Sequence, residues 1–313
     1  MGDMTPAISI SHLRKEYGSP LAPAKRFVAV EDLNLAVPKG QIFGFLGPNG
    51  AGKTTTINML LGNVYPTSGG GSLLGAPIGN RQMRRHLGFL PEKFQFHEFL
   101  TAEEFLDLHV RLYGMPIKRR RTRIAETLEI VGLTSRRKSK IREFSKGMQQ
   151  RIGLAQAILS DPDLVILDEP TSALDPIGRR DVRDIVRQLK SEGKTVFLNS
   201  HLLSEIELTC DEVAILKAGR VVRQGTVDSL LAAPSVVQMR IENRTPELMR
   251  ALESLAKMVE VDEAAGTVTA GLEREEIIPQ LAEAVVKNGG RLLSLIPQRE
   301  SLEDLFIRVV EKE

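Results

Sequence analysis

The 313-residue chain has no tryptophan and a single cysteine, Cys210. One thiol excludes an internal disulfide, which fits a reducing compartment. Aromatic residues make up only 4% of the chain, too few for the stacking platforms that hold single-stranded nucleic acid. The net charge of +2 supplies neither a global basic field nor an acidic tail. No apolar run reaches the roughly 18 residues needed to cross a bilayer. The start, Met1-Gly-Asp-Met-Thr-Pro6, lacks the basic and apolar parts of a signal peptide. A cytoplasmic protein is expected, with any membrane role arriving through a partner.

What is present begins with Gly47-Pro48-Asn49-Gly50-Ala51-Gly52-Lys53-Thr54. This is the G-x-x-x-x-G-K-[ST] pattern of a phosphate-cradling loop. Its glycines let successive N–H groups converge on phosphate oxygens. Lys53 supplies a cation for the β- and γ-phosphates, and the Thr54 hydroxyl suits Mg²⁺. The run Gln41–Leu46 before it reads as a buried strand. Thr54-Thr55-Thr56 and the residues after it read as a helix whose N-terminus faces the phosphates.

A second acidic element lies about 110 residues on. Leu164-Val-Ile-Leu167 carries Asp168 and Glu169 to its tip. A buried strand ending this way places Asp168 on a Mg²⁺ shell, and Glu169 beside an attacking water. Upstream, Phe144-Ser145-Lys146-Gly147-Met148 opens a helix whose N-terminus makes a further anion site. One chain with a P-loop has no need of a second phosphate site, so this one completes the site of another subunit.

The pattern of elements predicts an α/β fold. Residues 7–46 are β-rich, with a loop over Gly18–Lys25. Thr101-Ala-Glu-Glu104 is a capping box, and residues 100–160 read as a helical insertion. The βα alternation resumes at Leu164, with Asp175-Pro176 as N-cap and first helical position, and predicts a largely parallel sheet. Ala218-Gly219 suits a hairpin turn. Beyond the linker Ala232-Ala-Pro234 a βαββαβ pattern and a final helix predict a small α+β domain, split-βαβ in type. The boundaries are 7–230 and 235–313.

The order of these motifs resembles the ATP-binding cassette (ABC) ATPases over about residues 7–230. The resemblance implies a P-loop cassette: a mixed, largely parallel sheet with an antiparallel β part and a helical subdomain. It also implies two cassettes packed head to tail, each ATP held between one subunit's P-loop and the other's signature loop. The nucleotide contacts it implies are Gly47, Asn49, Gly50, Ala51, Gly52, Lys53, Thr54 and Thr55 in one subunit, and Ser145 and Gly147 in the other. Asp175 closes the Ser172-Ala-Leu-Asp175 loop of the same site. Tyr17 falls where the family stacks an aromatic on adenine, with Phe27 as the weaker candidate. Glu169, Lys53 and His201 take the catalytic roles, His201 as the residue that contacts the γ-phosphate. Thr54, Asp168 and Glu92 are the Mg²⁺ candidates.

Two positions depart from the family pattern. Phe144-Ser-Lys-Gly-Met148 stands for Leu-Ser-Gly-Gly-Gln, and Glu92 stands for the usual glutamine, with Gln95 as a fallback. Both departures occur in exporter-type cassettes that energise a separate permease. The expected partners are that permease and a second cassette, with no nucleic acid. A soluble ABC ATPase acting on nucleic acid or ribosomes is the rival, but the chain has neither the long coiled coils nor the paired cassettes of those members. The segment Phe94–Phe99 reads equally as a docking face for the permease and as core of the helical subdomain. The basic runs Lys118–Arg123 and Arg136–Arg142 read as solvated helix faces.

Overall fold

A computed structural model describes residues 5–18, 26–172, 174–231, 236–263, 265–298 and 301–312. Most of the expected loop, residues 19–25, the linker Ala232-Ala-Pro234 and Ala173 lie outside the described residues. The chain divides into two compact units, residues 1–227 with 309–313, and residues 228–308.

The first unit runs β1 (Ile8–Tyr17), β2 (Phe27–Val37), β3 (Ile42–Leu46), α1 (Lys53–Leu60), β4 (Ser68–Leu73), β5 (Ala76–Pro77) and β6 (Leu87–Leu90). Then come α2 (Ala102–Leu112), α3 (Ile117–Ile130), α4 (Lys146–Ile158), β7 (Leu164–Asp168), α5 (Pro176–Ser191) and β8 (Thr195–Asn199). It ends in α6 (Leu203–Thr209), β9 (Glu212–Lys217), β10 (Arg220–Thr226) and α7 (Val227–Leu230), whose last residues fall in the second unit.

A six-stranded sheet has the order β10-β9-β3-β8-β7-β6. Strands β9 to β6 are parallel, and β10 pairs antiparallel with β9. Every residue of β3, β7 and β8 is buried, as expected where helices cover both faces of a parallel sheet. Phe43, Phe45 and Phe197 form its aromatic centre, with ring centroids 6.0 and 5.0 Å apart. Each such buried side chain stabilises the fold by about 1.5–3 kcal/mol. The hairpin turn is where it was expected: Lys217 pairs with Arg220, and Ala218 and Gly219 both take positive φ, the primed turn that matches strand twist.

A four-stranded antiparallel sheet, β2-β1-β4-β5, packs into the same core as β3 and α1. Strand β4 has no apolar alternation. Its glycines let it run close to β1, since a Cβ at Gly71 would strike the Ser9 carbonyl.

The helical insertion starts on its capping box. Thr101 Oγ1 accepts from the Glu104 N–H (3.2 Å), and Glu104 Oε2 accepts from the Thr101 N–H (2.8 Å). Phe94 and Phe96 pack with each other (4.5 Å) and with buried Phe105 of α2, while Phe99 is 69% exposed. The Phe94–Phe99 segment therefore divides between core and surface. The basic runs are mostly exposed, but Arg123 donates to the Leu159 and Ile158 carbonyls (3.0 and 2.7 Å) and caps α4.

The second unit contains β11 (Val236–Glu242), α8 (Pro246–Leu255), β12 (Met258–Asp262), β13 (Thr267–Gly271), α9 (Ile278–Lys287) and β14 (Arg291–Gln298). Its sheet is β12-β13-β11-β14, antiparallel throughout. The first strand thus lies between the third and fourth, the split-βαβ arrangement. Val237, Met239 and Ile241 face Leu248, Leu252, Leu281 and Val285 in one core. The chain closes with α10 (Leu302–Lys312), which buries Leu302, Leu305 and Val309 along one stripe.

Candidate functional site

The carboxyl ends of β3, β7 and β8 lie side by side. Phe45 is level with Asn199, and Asn199 with Asp168. Open α/β sheets bind ligands outside such ends.

The P-loop leaves β3 there. Gly50 and Gly52 take φ of +81° and +102°. Gly52 is the N-cap of α1, and an added Cβ would lie 2.5 Å from the Ala29 carbonyl oxygen. At Gly47 a Cβ would lie 2.7 Å from that of Leu216. The chain is a tight ring of backbone, as an anion nest requires. Its cavity, about 180 Å³, is lined by Asn49, Gly50, Ala51, Gly52, Lys53, Thr54 and Thr55, together with Phe27 and Ala29 of β2. Lys53 Nζ donates to the carbonyls of Gly47 (2.5 Å) and Pro48 (3.1 Å). Burial lowers its pKa, opposed by the charges of Glu169 and Asp168. Thr54 is exposed at the start of α1.

Tyr17 and Phe27 are paired on the β1–β2 ladder and so project from the same face. Phe27 lines the P-loop cavity and Tyr17 does not; Lys15 Nζ sits 4.9 Å over the Tyr17 ring.

Asp168 ends β7, 5% exposed. Its Oδ1 accepts from Asn199 Nδ2 at 2.5 Å. Burial raises its pKa, and the Glu92 charge adds to this while the Asn199 bond and Lys53 oppose it. Glu92 is exposed beyond β6, yet near enough for Asp168 to feel it. Gln95 is exposed as well.

Glu169 has φ of +55°, uncommon for a residue with a side chain. Three contacts hold it so. Its N–H donates to the Asn199 carbonyl (2.8 Å), its own carbonyl accepts from Ser172 Oγ (3.2 Å), and Oε2 meets His201 Nδ1 at 2.7 Å. A carboxylate only accepts, so Nδ1 carries the hydrogen and Nε2 is left as the outer nitrogen. The His201 side chain is 62% exposed. Burial raises the Glu169 pKa, and His201 pulls it back. A carboxylate with its proton affinity raised in this way is a stronger base than a free one.

Ser145 caps α4, its Oγ accepting from the Met148 N–H at 3.3 Å. Ser145 and Lys146 are exposed. Neither Ser145 nor Gly147 is among the described residues that line the P-loop cavity. Asp175 caps α5 through the Gly178 N–H (2.8 Å). Sequence reasoning missed Asn199. The available signal was a polar residue ending an apolar strand two positions before His201.

Residues 30–172 match the ABC transporter family. An uncharacterized ABC transporter ATP-binding protein of Nostoc sp. is 41% identical over 99% of this chain and 91% of its own. The Nod factor export ATP-binding protein I of Cupriavidus metallidurans is 35% identical over 99% of each chain. Among solved structures, a dimeric post-hydrolysis state of an ATP-binding cassette bound to ADP and Pi matches with a TM-score of 0.64 and 25% identity, over 70% of this chain and 98% of the other. A P-loop, a buried aspartate and a histidine-held glutamate at adjacent strand ends accord with such a cassette, and these relatives place the chain in the ABC transporter family as an ATP-binding, ATP-hydrolysing subunit.

Proposed function

We propose that this ATPase energises export through a separate membrane permease, acting as a pair of cassettes that close on ATP and part after hydrolysis. The observation that carries the pairing is the exposed N-terminus of α4, capped by Ser145 and lying apart from this chain's own P-loop cavity. That end presents N–H groups and a lysine with no acidic residue in its first turn, the electrostatics that a phosphate of another subunit would complete. The name of the Nod factor export relative supports the outward direction. Among the described residues no helix is long and apolar enough to cross a membrane, so the permease is a separate chain in this reading. Phe99, with Leu100 and Leu108, lines an open apolar cleft of the helical subdomain that suits its docking.

In the ATP site, the P-loop backbone from Gly47 to Thr55 holds the phosphates and Lys53 neutralises them. Ser145 and Gly147 complete the site from the second subunit, and Asp175 fixes the loop beside it. Phe27 is better placed than Tyr17 to meet the base. Thr54 and Asp168 hold Mg²⁺, with Glu92 reaching it through water. The residues fit this ion. Asp168 brings a buried carboxylate beside an Asn199 Oδ1 that has no hydrogen-bond partner among the described residues, and Mg²⁺ takes one or two protein carboxylates plus phosphate oxygens and water. Bound there, the ion supplies charge neutralisation. Glu169 accepts the proton of the attacking water, and His201 holds Glu169 in place. Residues 7–230 form the cassette in this account, and 235–313 an accessory domain.

Co-expression with a membrane protein of about six apolar spans encoded beside it tests the proposal. Co-purification from membranes, with ATP turnover altered by the partner, is the expected result. Recovery of the chain with ribosomes or nucleic acid instead would overturn it.

A further inference from the structure

Asn199 belongs to none of the motifs described above. It ends β8, 2% exposed, level with Asp168 on the neighbouring parallel strand. Two bonds leave it in different directions. The side chain donates from Nδ2 to Asp168 Oδ1 (2.5 Å), and the main-chain carbonyl accepts from the Glu169 N–H (2.8 Å). One residue therefore touches both acids of the site. Because an ionised carboxylate only accepts, the amide nitrogen must face Asp168, and this fixes where Oδ1 goes. Oδ1 is buried and has no hydrogen-bond partner among the described residues. An orphaned buried acceptor is destabilising, and this one sits beside the carboxylate assigned to the metal.

We infer that Asn199 is a positioning residue for the Mg²⁺ site. Its Nδ2 ties down one oxygen of Asp168 and leaves the other for the ion. Its Oδ1 accepts a hydrogen bond from a water on the ion, since Mg²⁺ keeps several waters when proteins bind it. Its carbonyl holds Glu169 in the left-handed conformation, so the metal side and the water side of the site share one anchor. Partners of ligands often matter nearly as much as the ligands. The inference rests on the reading of this site as one for Mg²⁺–ATP.

The test uses the full chain carrying Glu169→Gln to suppress turnover. A fluorescent ATP analogue is titrated with Mg²⁺ and, separately, with EDTA. With Asn199 in place, Mg²⁺ is expected to tighten binding; no gain would overturn the Mg²⁺–ATP reading itself. Asn199→Leu, similar in size but without the amide, is expected to lose about tenfold of that gain, with binding in EDTA unchanged. Asn199→Ser retains a donor and is expected to lose less. An undiminished gain in the leucine variant would overturn the inference while leaving the reading of the site intact. So would an equal loss in EDTA, which marks a purely structural role. Melting of the nucleotide-free variants reports folding. If the leucine variant does not fold, the serine variant decides, and an undiminished gain there overturns the inference.

Discussion

His201 Nδ1 lies 2.7 Å from Glu169 Oε2, closing a bridge between the residues that follow two neighbouring parallel strands, β7 and β8. Glu169 sits at positive φ, so its side chain leaves the strand direction and meets the histidine. Replacing the glutamate tests the base. Glu169→Gln is expected to bind ATP and to hydrolyse it about 10²–10⁴-fold more slowly, measured by single-turnover kinetics. His201→Ala should slow hydrolysis less. The double variant should resemble Glu169→Gln alone, because groups acting as a unit are not additive. Hydrolysis at the wild-type rate by Glu169→Gln would remove Glu169 from the chemistry.

Lys53 spans the P-loop to the Gly47 and Pro48 carbonyls. Both acceptors belong to half-buried loop residues, so water can replace the ammonium there. Lys53→Ala should therefore leave the melting temperature nearly unchanged. It should weaken ATP binding by roughly 10–100-fold, the value of a charged hydrogen bond to phosphate. Nucleotide titration beside thermal melting separates the two effects.

Two glycines of the loop differ in what surrounds them. Gly50 has open space around it, whereas a Cβ on Gly52 would lie 2.5 Å from the Ala29 carbonyl oxygen. Gly50→Ala should lose only the about 1–2 kcal/mol of a left-handed non-glycine residue. Gly52→Ala should lose clearly more, with the P-loop displaced from β2. Urea denaturation of both variants checks the order, and equal losses would contradict the close approach.

His109 is half-buried against Phe105 and Tyr113, with ring centroids 4.6 and 6.3 Å away. Burial lowers its pKa below 6.5, and His97 adds to the shift. A histidine depressed in the fold stabilises it above the unfolded pKa, and that contribution is lost as pH falls through the folded value. Melting temperatures of the wild-type chain should therefore fall faster between pH 7 and pH 5 than those of His109→Phe. Parallel curves would show that His109 titrates alike in both states.

Much of the site was legible because its parts are local. The P-loop is a continuous ring, the capping box is four residues, and β7 announces itself by an apolar run ending in Asp168-Glu169. The helices and strands of residues 236–298 follow the same kind of short pattern. Strand β4 was not legible. Its Ser68-Gly-Gly-Gly-Ser72 stretch carries no alternation, and it is a strand because β1 offers a ladder to which glycine can come close. Neither was the split of Phe94–Phe99, where packing against Phe105 takes two rings inward and leaves the third outside. Between Tyr17 and Phe27 the family resemblance favoured the first. Of the two, Phe27 lines the P-loop cavity.

Read alone, the sequence determined that the chain is an ATP-binding cassette, because the P-loop and the apolar strand ending in Asp168-Glu169 are each encoded in a few consecutive residues. Only the tertiary structure decided how they meet. Asp168 meets Asn199, and Glu169 meets His201, because β7 and β8 are parallel neighbours in register, a pairing over some thirty residues of chain that no local pattern records. The same register buries Asn199 with one amide oxygen unpaired. That atom has meaning only beside Asp168, so it could be read only once the sheet was formed.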